Sequence, residues 1–331
     1  MSKFNPSRDL LDLHGKVAIV TGGNSGIGFW TVSHLSRKGA KVYMAARNEQ
    51  KAKNALERLA EVAKDCKDVG EVVWLPLDLD DPREVQRAAE VFMSKERRLD
   101  ILINNAGMLA GPFEKTKDGV SRMMVVKYVI LIQPFAVVFN EYTSHISPFV
   151  FTNTLYPVLE KTSREEGSDV RVINLKHTDF TSLEGFNETY ASEYFADMKV
   201  YAKSKLANIL WTKSLQQRYD FDDIAITCIS LHPGGVYSEG VLGTYKHLPL
   251  GLGWVATKTT KWVLLGAEEG AYTSLFAAAS KTVSEKRQEY RATYLVPFGK
   301  ITTPSSLARD AELGQALWKT TDQILQDNYQ M

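Results

Sequence analysis

The segment "YAKSK" opens a helical stretch and sets Tyr201 and Lys205 four residues apart, so their side chains share one face of a helix. A free phenol titrates near ~10 and is a poor acid or base at neutral pH unless a nearby cation stabilises the phenolate. Lys205 can be that cation, which makes the pair a candidate proton donor and acceptor. Taken alone, Tyr-x-x-x-Lys is more simply an ordinary amphipathic helix; its order behind two other motifs reverses that judgement.

The first of these is "TGGNSGIG", which places Gly22, Gly26 and Gly28 between an apolar β-rich run and a helical run. Glycines there let the backbone approach a pyrophosphate, and the helix N-terminus presents unpaired N–H groups and partial positive charge. The bland alternative is a merely tight turn, which loses ground once "NNAG" and "YAKSK" follow in βαβ context. At the end of the second strand an acid would hydrogen-bond the ribose hydroxyls, whereas an arginine can neutralise a 2′-phosphate. The chain has "AARN" there, so Arg47, with no acid at positions 45 to 47, favours NADP(H) over a plain surface arginine. Asp78, after the third strand, would face the adenine ring by position, or could equally cap a helix beside Asp80 and Asp81.

The elements that must position these residues read clearly. "KVAIVTGG", "KVYMAAR", "EVVWLPLD", "LDILINNAG", "DVRVINL" and "IAITCISLHPGG" are six strands. Between them run "IGFWTVSHLSRKGA", the charged "NEQKAKNALERLAEVAKD" and "DPREVQRAAEVFMSKERR", the last with Asp81 as N-cap and proline at the first helical position. The alternation predicts an α/β fold with a doubly wound parallel sheet and right-handed crossovers in a single domain. At 331 residues, 44% hydrophobic and 24% charged, the chain can bury a substantial core. Forty basic against thirty-nine acidic residues leave +1, which gives no electrostatic case for nucleic acid or an anionic membrane. Two cysteines, Cys66 and Cys228, are too few for a disulfide scaffold or a cysteine-rich metal site, and no metal is expected. The N-terminus lacks the apolar core of a secretory signal, which points to the cytoplasm.

Together, "TGGNSGIG", "NNAG", "YAKSK" followed by "LANIL", and "HPGGVYSE" closely resemble the short-chain dehydrogenase/reductases, in the retinol-dehydrogenase-like branch common in fungi. The resemblance covers roughly residues 14 to 300. It implies a single Rossmann-type domain, an oxidoreductase that transfers hydride between NADP(H) and a carbonyl or alcohol. By the same resemblance Tyr201 is the proton donor or acceptor, and Lys205 lowers its pKa and holds the nicotinamide ribose. Gly22, Ser25, Gly26, Ile27 and Gly28 line the pyrophosphate turn, Asn105 sits near the adenosine ribose, and Pro233, Gly234, Val236 and Ser238 border the nicotinamide. A role in secondary metabolism and a homo-oligomer are further implications of that family. The segment after "HPGGVYSE" carries Leu242, Tyr245, Leu248, Leu250, Leu252 and Trp254, an apolar lid for a lipophilic ketone or alcohol, or helices simply packing on the sheet.

Two departures stand out. The family places a serine after the fifth strand, where this chain reads "VINLKHTDF". His177 then either stands at that position and donates to the substrate oxygen, or is a later histidine after a short deletion, with Thr178 or Ser182 as weaker substitutes for the serine. The second departure follows "DGVSRMMVV". Relatives continue directly with an asparagine and then a stretch like "HISPF"; here residues 127–144, "KYVILIQPFAVVFNEYTS", intervene and the asparagine is missing. Lys127, Gln133, Pro134 and Asn140 interrupt this run, and a spanning helix needs about 20 predominantly apolar residues, which argues against a membrane segment. A greasy insertion at a catalytic helix also runs against the polarity of surface loops. The favoured reading is a retained intron: Lys-Tyr-Val can be encoded with the donor GTATGT and Ser144 with an acceptor AG. Excision then creates an asparagine codon and restores "VVNHISPF". The expected layout is an N-terminal extension at 1–14, the Rossmann-type domain at 15–300 and a C-terminal extension with a helix at 301–331.

Overall fold

A computed structural model describes residues 4–106, 115–120, 145–174, 187, 196–237 and 264–331, with side chains from Leu206 onward in the helix that begins at Ala196. Six strands run in chain order as β1 (Val17–Thr21), β2 (Lys41–Ala46), β3 (Val72–Pro76), β4 (Ile101–Ile103), β5 (Val170–Asn174) and β6 (Ile226–Leu231). Two two-residue strands, β7 (Val236–Tyr237) and β8 (Leu265–Gly266), pair with each other. β9 (Tyr294–Val296) joins β6 in parallel, and β10 (Lys300–Ile301) closes that edge antiparallel to β9. The eight-stranded sheet has the order β10-β9-β6-β5-β4-β1-β2-β3. The order reverses after β1, between β1 and β4, and in such sheets ligands bind beyond the carboxyl ends of the strands at that reversal.

The helices are α1 (Pro6–Asp9), α2 (Gly26–Ser36), α3 (Glu49–Ala63), α4 (Pro82–Lys95), α5 (Ile146–Thr154), α6 (Tyr156–Ser163), α7 (Ala196–Phe221), α8 (Ala267–Ala279), α9 (Lys281–Glu285), α10 (Arg287–Tyr290) and α11 (Ala311–Ile324). Asp81 caps α4 by accepting from the Arg83 amide at 3.0 Å, with Pro82 as the first helical residue. Strand residues alternate between two cores, as a sheet covered on both faces requires. On β1, Ala18 and Val20 enter the core with Phe29 and Val32 of α2 and Leu275 of α8. Val17 and Ile19 enter the opposite core with Phe92 of α4, Phe149 of α5 and Leu206, Leu210 and Trp211 of α7.

Both termini pack on this body. Leu10 and Leu13 are buried, and the Leu11 amide donates to the Ala279 carbonyl at 2.9 Å. At the other end α11 packs along α7, where Trp318 stacks under the Arg218 guanidinium at 3.8 Å from the ring centre. Arg171 on β5 is buried; its guanidinium donates to the Ala277 carbonyl at 3.0 Å and pairs with Asp169, tying the start of β5 to the end of α8. Among the described residues, no helix is long and apolar enough to cross a membrane. Residues 127–144 lie outside the described residues.

Candidate active site

β1 ends at Thr21, and the chain turns through Gly22 and Gly26, whose φ angles of +66° and +53° fall in the left-handed region open to glycine. Gly28 is required for a different reason: a Cβ there would lie 2.2 Å from the Gly22 carbonyl oxygen and 2.6 Å from the Asn105 amide nitrogen. Asn105 holds the turn from the β4 side, its Nδ2 donating to the Thr21 carbonyl at 2.8 Å while the Ala106 amide donates to Thr21 Oγ1 at 2.9 Å. Asn48, Asp81 and Asp310 cap α3, α4 and α11 with side-chain hydrogen bonds, but Ser25 at the start of α2 makes none. The first-turn amides of α2 are therefore left to an outside acceptor, an arrangement suited to an anion.

Arg47 stands just past β2, half exposed, with Nη1 donating to Asp80 Oδ2 at 2.6 Å and lying 3.7 Å from Asp78 Oδ1. Asp78 accepts from the Asp80 amide at 3.0 Å, so it closes its own loop and leaves the capping of α4 to Asp81. The guanidinium thus sits where sequence placed it, at the end of β2, but shared with two carboxylates.

On the other side of the reversal, the Gly234 amide donates to His232 Nδ1 at 2.9 Å, and Gly234 adopts φ +94°. This fixes Pro233 and Gly234 ahead of Val236, which pairs with Leu265. Gly270, in the first turn of α8, lets the two halves meet. A Cβ there would lie 2.6 Å from Val236 Cγ2 and 3.2 Å from Ile27 Cγ1, so Ile27 of the glycine turn and Val236 of β7 flank the same gap. Further along the α2–α8 contact, His34 Nε2 lies 3.0 Å from Glu268 Oε1, and burial is the main cause lowering the His34 pKa.

α7 carries Tyr201 and Lys205 near its start. It precedes the parallel strand β6, so it runs against the strand direction and its first turns lie at the carboxyl ends of the strands. Buried polar groups fix it there. Asn104 Nδ2 donates to Thr152 Oγ1 of α5 at 3.1 Å and to Asn174 Oδ1 at the end of β5 at 2.9 Å. Asn174 Nδ2 in turn donates to Thr212 Oγ1 of α7 at 3.3 Å. The structure therefore gathers the glycine turn, Arg47, Asp78, Asn105, Pro233, Gly234 and Val236 at one end of the sheet, together with the backbone at Tyr201 and Lys205. Ser238, Lys176, His177, Thr178 and Ser182 lie outside the described residues, as do Leu242, Tyr245, Leu248, Leu250, Leu252 and Trp254. A cleft of about 990 Å³ lies elsewhere, between α6, the end of α7 and α11. Tyr156, Tyr219 and Trp318 line it, and none of the residues named for the cofactor or proton transfer does.

Sequence reasoning passed over His145, Asn174, Asn208, Thr212 and Thr321. The signal available was weak: Asn208 and Thr212 are polar residues on an otherwise apolar stretch of α7, and Asn208 follows Tyr201 by two helical turns.

Comparison with known proteins bears on the family and the fold. A family profile described as short chain dehydrogenase matches residues 16–143. A short-chain dehydrogenase/reductase of Armillaria gallica is 40% identical over 98% of this chain and 97% of its own length. Retinol dehydrogenase 12 of Bos taurus is 30% identical over 95% of this chain and 88% of its own. In structure, the L-sorbose reductase of Gluconobacter frateurii, crystallised with NADPH and L-sorbose, superposes with a TM-score of 0.61 at 18% identity, covering 89% of this chain and 100% of that one. The chain belongs to the short-chain dehydrogenase/reductase family. Its members are oxidoreductases that bind nicotinamide cofactors and act on small molecules.

Proposed function

We propose that the protein is an NADP(H)-dependent reductase or dehydrogenase that interconverts a carbonyl and an alcohol on a lipophilic small molecule, with Tyr201 as the proton donor or acceptor and Lys205 as its cation. The observation that carries this reading is the position of α7. The Tyr201–Lys205 stretch opens a helix whose next turns are hydrogen-bonded to the carboxyl ends of β4 and β5, at the end of the sheet where the glycine turn opens.

The residues present fit a dinucleotide. The cradle at Gly28 is one a Cβ would fill, and the amides that open α2 have no side-chain cap. Gly22, Ser25, Gly26, Ile27 and Gly28 would hold the pyrophosphate, Arg47 a 2′-phosphate, Asp78 and Asn105 the adenosine half, and Pro233, Gly234, Val236 and Ser238 the nicotinamide side. The bound cofactor would supply or accept a hydride. The protein's own part is the proton: Lys205 keeps the Tyr201 phenol close enough to ionisation to exchange a proton with the substrate oxygen.

The apolar character of residues 242–254 supports a lipophilic substrate, the family resemblance is what supports a part in secondary metabolism, and a chain with two cysteines suits the reducing cytoplasm. The layout carries over as proposed, with 1–14 and 301–331 as extensions of the domain at 15–300 and 127–144 as intron-encoded. The rival reading is a catalytically impaired NADP(H)-binding homologue, favoured by the missing serine and asparagine. Tyr201→Phe decides between the two: loss of turnover on a carbonyl panel with NADPH binding retained supports the enzyme. NADPH binding by the native chain without turnover, in both the long form and the form with residues 127–144 replaced by asparagine, supports the rival.

A further inference from the structure

A five-residue helical turn, Leu325–Tyr329, continues α11 and buries Leu325 and Tyr329 in the same core as Val85 and Phe92 of α4. The Tyr329 ring lies under the Arg83 guanidinium, whose carbon is 5.2 Å from the ring centre. Asn328 Nδ2 donates to the Asp118 carbonyl at 2.9 Å, and Tyr329 Oη lies 3.4 Å from Thr116 Oγ1.

These contacts converge on Arg83, in the first turn of α4. Its Nε donates to Asp81 Oδ1 and its Nη2 to Asp118 Oδ2, each at 2.8 Å, while Lys117 Nζ lies 3.1 Å from Asp81 Oδ2. Asp81 closes the loop of residues 77–81 that leads from β3 into α4. The same loop carries Asp80, which takes the Arg47 guanidinium, and Asp78, whose Oδ1 accepts from the Asp80 amide. Its middle is held by Ser147 of α5, which donates to the Leu79 carbonyl at 2.8 Å. The loop thus has an inner end at Arg47 and an outer end at Arg83. Two cations, Arg83 and Lys117, balance two carboxylates, Asp81 and Asp118, at the outer end. The acidic charge near Arg47 is left to Asp78 and Asp80.

We propose that Tyr329 and Asn328 are positioning residues for cofactor binding: through Arg83 and Asp118 they fix the β3–α4 loop, and with it Asp78 and Asp80, at the adenosine end of the site. This rests on the reading of the glycine turn, Arg47 and Asp78 as the dinucleotide site. A guanidinium already forked onto two carboxylates loses little further freedom by stacking on a ring, so the aromatic face adds to a geometry that is largely set. Without the ring, Arg83 can reorient and Asp81 moves with it. A segment outside every motif that carries the family resemblance then belongs to the cofactor half of the molecule.

The test measures binding of NADPH and of 2′,5′-ADP, which carries only the adenosine half, to the full-length protein by titration calorimetry. Tyr329→Leu should weaken both about fivefold with stoichiometry unchanged, and Tyr329→Phe, which keeps the ring under Arg83, should bind as the native chain does. In an Arg83→Met background Tyr329→Leu should add nothing, because it acts through that guanidinium. Native-like affinity for 2′,5′-ADP in Tyr329→Leu, a loss of stoichiometry alone, or independent effects of the two changes would overturn the proposal. A second measurement needs no variant. Adding 2′,5′-ADP to the native protein should slow hydrogen exchange at the Gln330 and Met331 amides, which donate to the Gln326 and Leu325 carbonyls, since coupling between two sites is reciprocal. Exchange there that ignores the nucleotide would refute the proposal. If the native chain binds neither NADPH nor 2′,5′-ADP, the cofactor reading fails and the positioning role with it; if both bind and Tyr329→Leu binds them as tightly, only the positioning role fails.

Discussion

Stability of the protein should depend on acid through His145, and the size of the effect follows from its surroundings. Burial pushes the pKa of His145, which is enclosed ahead of α5 with Nε2 2.9 Å from Thr321 Oγ1 on α11, from the ordinary 6.5 down to about 3. The folded state therefore favours the neutral ring more strongly than the unfolded chain does. The contribution is fully present above pH ~6.5 and is lost as pH falls from there toward the folded value, at about 1.4 kcal/mol per pH unit. Between about pH 7 and pH 5 the loss integrates to about 2 kcal/mol, large against a typical net stability of about 5–15 kcal/mol. Urea unfolding followed by tryptophan fluorescence at several pH values would measure it, with His145→Gln as the comparison, since glutamine keeps a donor toward Thr321 but does not titrate. Other titrating groups cancel in the difference between the two proteins. The variant is expected to be less stable at neutral pH but to lose about 2 kcal/mol less on acidification. Parallel pH dependences, differing by under about 0.5 kcal/mol, would show that the imidazole is hydrated or paired and would refute the reasoning.

Three further outcomes are expected. Gly270→Ala gains about 1 kcal/mol of helix propensity, but its Cβ meets Val236 Cγ2 at 2.6 Å, so NADPH affinity should fall several-fold even where melting temperature holds, as titration calorimetry can read. Arg47→Ala should lower the preference for NADPH over NADH by about tenfold in kcat/KM, and Asp80→Asn, which frees the guanidinium, should raise it; unchanged ratios would remove Arg47 from the cofactor assignment. Sequencing of cDNA across codons 120 to 150 should return "VVNHISPF", and a mature transcript that retains residues 127–144 would dispose of the intron reading.

Strands β1 to β6 and the glycine turn were legible because they are local: each strand lies in one apolar run bounded by glycine, proline or charge, and the turn residues have steric reasons that need no partner. β7 to β10 were not legible, since they are short and, unlike the equally short β4, do not lie inside a longer apolar run, so they have no period to read. The site divided in the same way. Gly22, Gly28, Arg47 and Asn105 announce themselves by position along the chain, whereas the contact of His145 with Thr321 joins segments 176 residues apart in sequence, and no local pattern encodes that. Asp78 shows a middle case: its place after β3 was readable, but that its carboxylate closes its own loop while Asp80 takes the arginine is set by side-chain geometry.

The two ends of the described sheet bear on how readily growing chains can add strands to one another. One edge is β3, which ends in Pro76 and so presents one N–H fewer to an incoming strand; the other is β10, only two residues long, with the charged Lys300 exposed. Short, proline-bearing or lysine-bearing edges are poor templates for strand addition. Copies emerging side by side from ribosomes therefore find little edge on the described sheet to zip onto, and among the described residues the helical faces, where side-chain shape rather than generic backbone bonding decides the partner, are left as surfaces for pairing.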